Sequence, residues 1–173
     1  MSKTLSRQAA ILKRNFDQTF ALPMRPPSPQ TLDLLRIRLG DDPWAVPLAD
    51  VAGLYSGKRI TPVPGRTPAL LGVAGFRGVL SAVYDLPALI GLAPLGTPRW
   101  LLMAEERRVA FAFGALDGHL RVEAGSILPL GPEIGTAWTR GFIEDGTLRR
   151  PILHLPALLA RLTPQTSREG NDS

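Results

Sequence analysis

Hydrophobic and polar residues alternate along the stretch from residue 35 to residue 48. Leucine or isoleucine occupies positions 35, 37 and 39, and arginine occupies positions 36 and 38 between them. A period of two places successive side chains on opposite faces of a strand, so this stretch predicts a strand with one apolar and one solvated face. A turn at residues 40–43 follows, and the alternation resumes at Trp44, Val46 and Leu48. The pattern therefore predicts a β-hairpin.

Further apolar stretches of strand length follow, separated by turn residues. Residues 100–104 and 109–113 flank a charged tip, and residues 138–142 and 148–155 flank a second polar turn. Each pair predicts another hairpin. Asp117-Gly118 predicts a further turn, residues 58–64 an edge strand limited by its prolines, and residues 156–162 a C-terminal helix. The 17 glycines and 17 prolines also favour short strands joined by turns, so we expect an all-β core.

The N-terminal region shows a helical period instead. Its apolar residues recur every three or four positions, at Leu5, Ala9, Leu12, Phe16 and Phe20, which predicts an amphipathic helix within residues 1–24. Its apolar stripe can dock on the protein's own domain, in a partner's groove or on a membrane surface. Residues 25–31 predict a proline-rich linker, and residues 163–173 predict a disordered polar tail. The folded domain is thus expected over residues 32–162.

The stretch from Leu70 to Leu89 contains the most informative local pattern. Three glycines stand three residues apart, at Gly72, Gly75 and Gly78. This spacing is typical of a tight, irregular turn rather than a helix. An apolar run of strand length follows over residues 79–84, and Asp85 with Pro87 predicts the start of a short helix. We therefore expect a bent loop that presents Arg77 beside a buried strand.

Composition limits the classes of protein to which the chain can belong. Its 173 residues suffice for one domain with a substantial core. Without cysteine, a signal segment or a membrane-spanning run, it is expected to be cytoplasmic, with no disulfides and no membrane insertion. Residues 1–26 carry five basic side chains and one acidic one, so +4 of the net charge of +5 lies there. The remaining body is nearly neutral, which argues against binding to nucleic acid.

The chain offers no recognisable set of catalytic or metal-binding residues. His119 and His154 are the only imidazoles, neither has the HExxH spacing, and two scattered histidines without cysteine argue against a zinc site. Residues 53–58, which read GLYSGK, have one residue too few between the glycines for a phosphate-binding loop and lack its final Ser or Thr. We therefore expect a non-enzymatic protein without cofactor or metal. An enzymatic or small-ligand-binding β-barrel remains open as a different class.

The central stretch contains seven residues in a fixed order over fifteen positions: Gly72, Val73, Phe76, Arg77, Gly78, Asp85 and Leu86. This pattern resembles the signature of the CheW-like family, the adaptor domain of bacterial chemotaxis. The resemblance, which covers residues 32–162, implies two interleaved five-stranded SH3-like barrels. It also implies a cytoplasmic adaptor that couples the tips of methyl-accepting chemoreceptors to a CheA-like histidine kinase. Such a protein would be recruited to membrane-associated receptor arrays.

The same resemblance implies which residues contact partners. The expected partner-binding residues are Val51, Gly72, Phe76, Arg77 and Gly78. An arginine beside apolar residues is typical of interaction hot spots. As an alternative, Arg77 holds the turn internally by pairing with a carboxylate such as that of Asp85.

The chain departs from the family pattern at three places. Gly53 stands in place of a glutamate, Gly114–Leu116 in place of a Val-Asp-x-Val element, and His154 in place of an aspartate. These departures favour an alternative within the same class, a divergent adaptor that binds one of the two usual partners. Such an adaptor would serve a motility or pilus-type chemosensory pathway.

Overall fold

The computed structural model of the protein describes residues 30–64, 67–105, 108–131 and 137–162. Ten strands and two helices form the fold of this part of the chain. The strands are β1 Thr31–Leu39, β2 Asp42–Pro47, β3 Val51–Ser56, β4 Leu70–Phe76, β5 Val79–Asp85, β6 Trp100–Ala104, β7 Val109–Phe113, β8 Ala115–Glu123, β9 Thr139–Asp145 and β10 Leu148–Leu153. The helices are α1 Leu86–Leu89 and α2 Leu155–Leu162. The predicted N-terminal helix, the tail and residues 25–29 of the linker lie outside the described residues.

The strands form two five-stranded sheets that are interleaved along the chain. The first sheet has the order β8-β1-β2-β10-β9, and the second has the order β3-β6-β7-β5-β4. Each sheet contains one parallel pair, β10 with β2 and β5 with β7, and its other pairs are antiparallel. The first sheet thus takes strands from both ends of the domain, and the second sheet takes the strands between them. This confirms the predicted all-β fold.

Three clusters of buried side chains hold the sheets together. The largest takes residues from both sheets and both helices, including Ile37, Leu86, Phe111, Leu153 and Leu158. A second cluster lies on the inner face of the second sheet, and a third on the inner face of the first. Burial of apolar surface from both sheets in a shared cluster explains why they fold as one unit from residue 31 onward.

Helix α1 begins where the sequence predicts. Asp85 is 2% exposed, and its two carboxylate oxygens accept hydrogen bonds from the backbone amides of Ala88 (3.0 Å) and Leu95 (2.8 Å). The first bond is an N-cap, and Pro87 fits the first turn because no intrahelical bond to its nitrogen is required there. The second bond ties the following loop to the same carboxylate.

Three local predictions are wrong in the structure. Residues 58–64 form no edge strand, because Pro62 and Pro64 lack amide donors, and pairing is limited to the single bridge between Thr61 and Val73. Asp117-Gly118 forms no turn. Both residues lie within β8, where Asp117 is the extra residue of a bulge against β1 and Gly118 has a φ of 130°.

The third correction concerns the arginine face of β1, which is not simply solvated. The side chains of Arg36 and Arg38 are 29% and 41% exposed, and each is paired with an aspartate that is far away in the sequence.

None of the helices in the described part of the chain combines the length and the hydropathy needed to cross a bilayer.

Candidate functional site

The hairpin that joins β4 to β5 has a two-residue turn with an unusual backbone. Arg77 (φ 47°) and Gly78 (φ 82°) both have positive φ, as in the type I′ turns that suit the twist of a hairpin. Such turns favour Asn-Gly, and a left-handed conformation costs most other residues about 1–2 kcal/mol. Arg77 is the one non-glycine residue with positive φ among those described. Its side chain is exposed at the tip of the hairpin.

The predicted bent loop is therefore a regular strand followed by a tight turn. Residues 70–76 form β4 in register with β5, and the change of direction is confined to Arg77 and Gly78. The glycines differ in their roles. Gly72 (φ 147°) lies where an added Cβ would approach the carbonyl oxygen of Thr61 to 2.1 Å, whereas a Cβ at Gly75 would meet open space.

A cleft of about 430 Å³ opens beside this turn, at one end of the second sheet. Four strands and two hairpin tips contribute to its wall. Its lining consists of Ala52, Tyr55, Phe76, Arg77, Val79, Ser81, Met103, Ala104, Glu105 and Arg108. The cleft thus joins an apolar interior to a charged rim, which is an arrangement suited to binding.

Aromatic rings form one wall of the cleft. The rings of Tyr55 and Phe76 meet edge to face with centroids 4.9 Å apart, and the ammonium group of Lys58 lies 5.5 Å and 5.8 Å from the two centroids. Phe76 is 4% exposed and belongs to the cluster on the inner face of the sheet. Phe76 is therefore a buried part of the cleft wall, and its predicted contact with a partner stays a prediction.

Gly53 lies against the side chain of Tyr55. An added Cβ at residue 53 would lie 2.8 Å from Cε2 of Tyr55 and 2.9 Å from its hydroxyl oxygen. These distances are too short for real contacts, so a side chain at residue 53 would require the end of the Tyr55 side chain to move.

The charged residues of the cleft are unpaired. Among the described residues, the side chains of Arg77, Arg108 and Glu105 form no ion pair or hydrogen bond with one another or with a fourth group. The alternative pairing of Arg77 with Asp85 is wrong, because both oxygens of that carboxylate accept bonds from backbone amides. Arg77 is therefore free to contact another molecule.

Sequence reasoning grouped residues that the structure separates. Phe76, Arg77 and Gly78 lie together at the tip, but Gly72 is buried at the far end of β4 against residue Thr61. Val51 packs on the large shared core, although its neighbour Ala52 lines the cleft. Gly72 and Val51 thus have contacts within the fold, and their predicted part in binding a partner stays a prediction.

Two residues of β5 were missed by the sequence reasoning. Leu80 was expected in a buried strand, yet it is 72% exposed, three residues after Arg77. Ser81 lines the cleft and is 3% exposed, and its buried hydroxyl has no hydrogen-bond partner among the described residues. Apolar residues occupy both faces of β5, so alternation within the strand gave no signal that distinguishes these two positions.

A second charged cluster lies in the first sheet and differs from the cleft because it is paired. Arg150, whose side chain is 4% exposed, donates to Asp145 (2.8 Å) and Asp117 (3.1 Å). Arg36 also donates to Asp145, and Arg38 to Asp117. Burial by itself raises the pKa of each aspartate, but the arginine hydrogen bonds outweigh it and lower both pKa values below the ordinary 3.8. The cluster is a structural network rather than a binding site.

Neither histidine of the sequence forms a metal or catalytic site with its neighbours. His119 Nε2 contacts Asp33 Oδ1 (2.8 Å) at the surface, beside Arg121, which donates to the same carboxylate. His154 lies between β10 and α2, and its backbone amide donates to the carbonyl of Trp138. In the described ranges, no three His, Asp or Glu side chains gather closely enough to hold a metal ion.

Comparisons with known proteins agree with the fold described above. The model of the CheW-like domain family matches residues 33–163. The chain also resembles the crystal structure of the scaffolding protein TtCheW from Thermoanaerobacter tengcongensis, with a TM-score of 0.65 and 18% identity over 72% of this chain and 89% of that one. A comparison with curated protein sequences gives no match. Since the family model spans most of its length, the chain belongs to the CheW-like domain family.

Proposed function

We propose that the protein is a non-enzymatic adaptor that couples methyl-accepting chemoreceptors to a CheA-like histidine kinase. Family membership supports the adaptor class, and the relative with a solved structure is described as a scaffolding protein. The observation that carries the proposal is Arg77, an unpaired arginine held in a left-handed turn at the exposed tip of a hairpin. A residue kept there at a cost to folding is best explained by contacts outside the chain.

The β4–β5 hairpin has the features of a protein contact surface. Arg77 offers a planar cation with five donors, and Leu80 offers a large apolar side chain that is 72% exposed. A rigid backbone avoids the entropy cost of ordering a loop on binding, so only the side chains themselves have to be immobilised. The hairpin is held rigid by β7, which pairs with β5 in the middle of the sheet. The surface is thus presented in a fixed geometry.

Coupling then follows from differential contacts. A receptor tip and a kinase domain that bind the same adaptor are held at a fixed separation, because both sheets share one core. The adaptor changes kinase output only if its contacts differ in free energy between the two signalling states. No chemical step within the adaptor is needed. The proposed localisation is the cytoplasmic face of receptor arrays, where both partners are present.

Capture experiments with purified receptor fragments and kinase test the proposal. Arg77→Glu reverses the charge at the tip, and we expect it to weaken binding of at least one partner by roughly thirtyfold, the size of a hot-spot effect. Arg99→Glu is the matched control, since Arg99 is exposed and lies at the opposite end of β6 from Glu105. Melting temperatures of the variants establish that each is folded.

The outcome for each partner distinguishes the two forms of the adaptor hypothesis. Binding of the wild-type protein to both partners supports a complete coupling protein, and binding to one supports the divergent adaptor that the departures at Gly53, Gly114–Leu116 and His154 favour. Binding to neither partner, or equal binding by wild type and Arg77→Glu, contradicts the assignment of this surface.

A further inference from the structure

The cleft beside the β4–β5 turn carries unbalanced positive charge. Arg77 and Arg108 line it from two different hairpins, and Glu105 is the one acidic residue among the described residues of its lining. The ammonium group of Lys58 lies over the rings of Tyr55 and Phe76, 5.5 Å and 5.8 Å from their centroids. Because Arg77 and Arg108 form no ion pair among the described residues, their positive field extends into the cleft and favours an anion.

The interior of the cleft contains an unused hydrogen-bonding group. Ser81 is only 3% exposed, and its Oγ has no hydrogen-bond partner among the described residues. A buried hydroxyl without a partner destabilises a fold, so such groups point to a missing ligand atom. Ser81 lines the same cleft as the two arginines. A ligand that enters between them can accept a bond from this hydroxyl.

The remaining wall is apolar. Phe76, Val79 and Met103 line the cleft together with the face of Tyr55. A thioether beside aromatic rings adapts to ligands of different shape. The volume of about 430 Å³ holds one or two side chains and is too small for a helix. A suitable ligand therefore has one anionic end and a short apolar portion.

We infer that the cleft binds a glutamate or aspartate side chain, with its apolar neighbour, from an acidic segment of a protein partner. The carboxylate lies between Arg77 and Arg108 and accepts a hydrogen bond from Ser81 Oγ. The planar guanidinium groups match the two oxygens of a carboxylate. The carboxylate of Glu105 in the same lining opposes a doubly charged phosphate more strongly than a singly charged carboxylate. This inference rests on the proposed function, because it names the chemistry by which the hairpin recognises a partner.

Titration of the ¹⁵N-labelled full-length protein with two dipeptides tests the inference. The probes are N-acetyl-leucyl-glutamyl amide and its glutaminyl counterpart, which differ only in the charge of the side chain. We expect the glutamyl probe to shift the amide resonances of the lining, such as those of Arg77, Ser81 and Arg108, with a Kd on the order of 1 mM. The glutaminyl probe should cause much smaller shifts. Equal shifts from both probes, or shifts that map elsewhere, overturn the inference.

Single-residue variants distinguish the loss of a contact in the cleft from a general loss of folding. Arg77→Gln and Arg108→Gln should each weaken the glutamyl probe about fivefold, whereas Arg99→Gln should leave it unchanged. Ser81→Ala should weaken the probe and yet raise the melting temperature by about 2 °C, because it removes the unpaired hydroxyl from the free protein. A merely structural role for Ser81 predicts that probe affinity is unchanged, and that result would contradict its place in the site.

The experiments can refute the carboxylate-binding site and the proposed adaptor function independently of each other. If Arg77→Glu abolishes capture of a partner while the two dipeptides shift the spectrum equally, the function stands and the carboxylate site is wrong. If the glutamyl probe binds as expected while capture of both partners is unaffected by Arg77→Glu, the site stands and the proposed function is wrong.

Discussion

Arg150 is the residue on which the charged network of the first sheet depends. Its side chain is 4% exposed and joins Asp145 to Asp117, each of which has a second arginine partner on β1. Arg150→Met keeps most of the buried length of the side chain but leaves two half-buried carboxylates with one cation each. Removing one partner of a fully buried ion pair costs about 3–5 kcal/mol. Here the aspartates are 23% and 18% exposed and keep one partner, so we expect about 2 kcal/mol.

Urea denaturation as a function of pH measures this cost and identifies its source. A carboxyl whose pKa is lowered by folding stabilises the native state at pH values above its ordinary pKa, near 3.8. That contribution disappears as the pH falls through the lowered pKa of the folded state. The difference in unfolding free energy between wild type and Arg150→Met should therefore be full at pH 7 and narrow below about pH 4.

Arg149→Met is the matched control for this experiment. Arg149 is the neighbouring residue of β10, and its guanidinium lies 4.4 Å from the ring centroid of Phe142 on the exposed face. We expect its loss to cost less than about 1 kcal/mol, with no dependence on acid pH. A difference below about 0.5 kcal/mol for Arg150→Met at pH 7, or a difference that persists unchanged at pH 3, would refute the network as a source of stability.

Three further substitutions test local features of the fold by thermal or urea unfolding. Gly72→Ala should destabilise by more than about 3 kcal/mol, since its Cβ would approach the carbonyl oxygen of Thr61 to 2.1 Å, whereas Gly75→Ala should be tolerated; equal effects would contradict the contact. Arg77→Asn should stabilise by about 0.5–1 kcal/mol, because asparagine accepts positive φ more readily; a lower melting temperature would show that no strain is present. Asp85→Asn should destabilise the protein by about 2 kcal/mol, since one of the two backbone amide donors then faces an NH₂ group. An unchanged midpoint of urea unfolding would contradict the contribution of these two hydrogen bonds.

The hairpins could be predicted from sequence because their signals are local. Residues 100–104 and 109–113 pair as expected, with Trp100 opposite Phe113, and α1 begins directly after Asp85. The glycine stretch was misread because spacing alone does not say what each glycine does. Gly78 is needed for positive φ and Gly72 for close approach of another segment, and only the second of these requires knowledge of the tertiary fold.

The environment of each arginine could not be predicted from its neighbours in the sequence. Arg38 and Arg36 alternate with apolar residues as on a solvated face, but their aspartate partners lie 79 and 109 residues away in the sequence. In the same way, Arg77 was identified by its motif, while Arg108 and Ser81 become part of the same cleft only when the second sheet forms. Long-range pairing of charges leaves no periodic signal in the chain.

The two environments show how one residue type serves stability in one sheet and recognition in the other. Arg150 is buried and donates to two aspartates that also accept hydrogen bonds from Arg36 and Arg38, so its removal harms folding. Arg77 is exposed, unpaired and held at φ 47°, so its replacement by asparagine should help folding. A substitution that raises stability while lowering affinity for a partner marks a residue whose contacts lie outside the chain. Arg77→Asn, measured for both properties in one preparation, therefore tests directly whether the hairpin tip serves binding rather than folding.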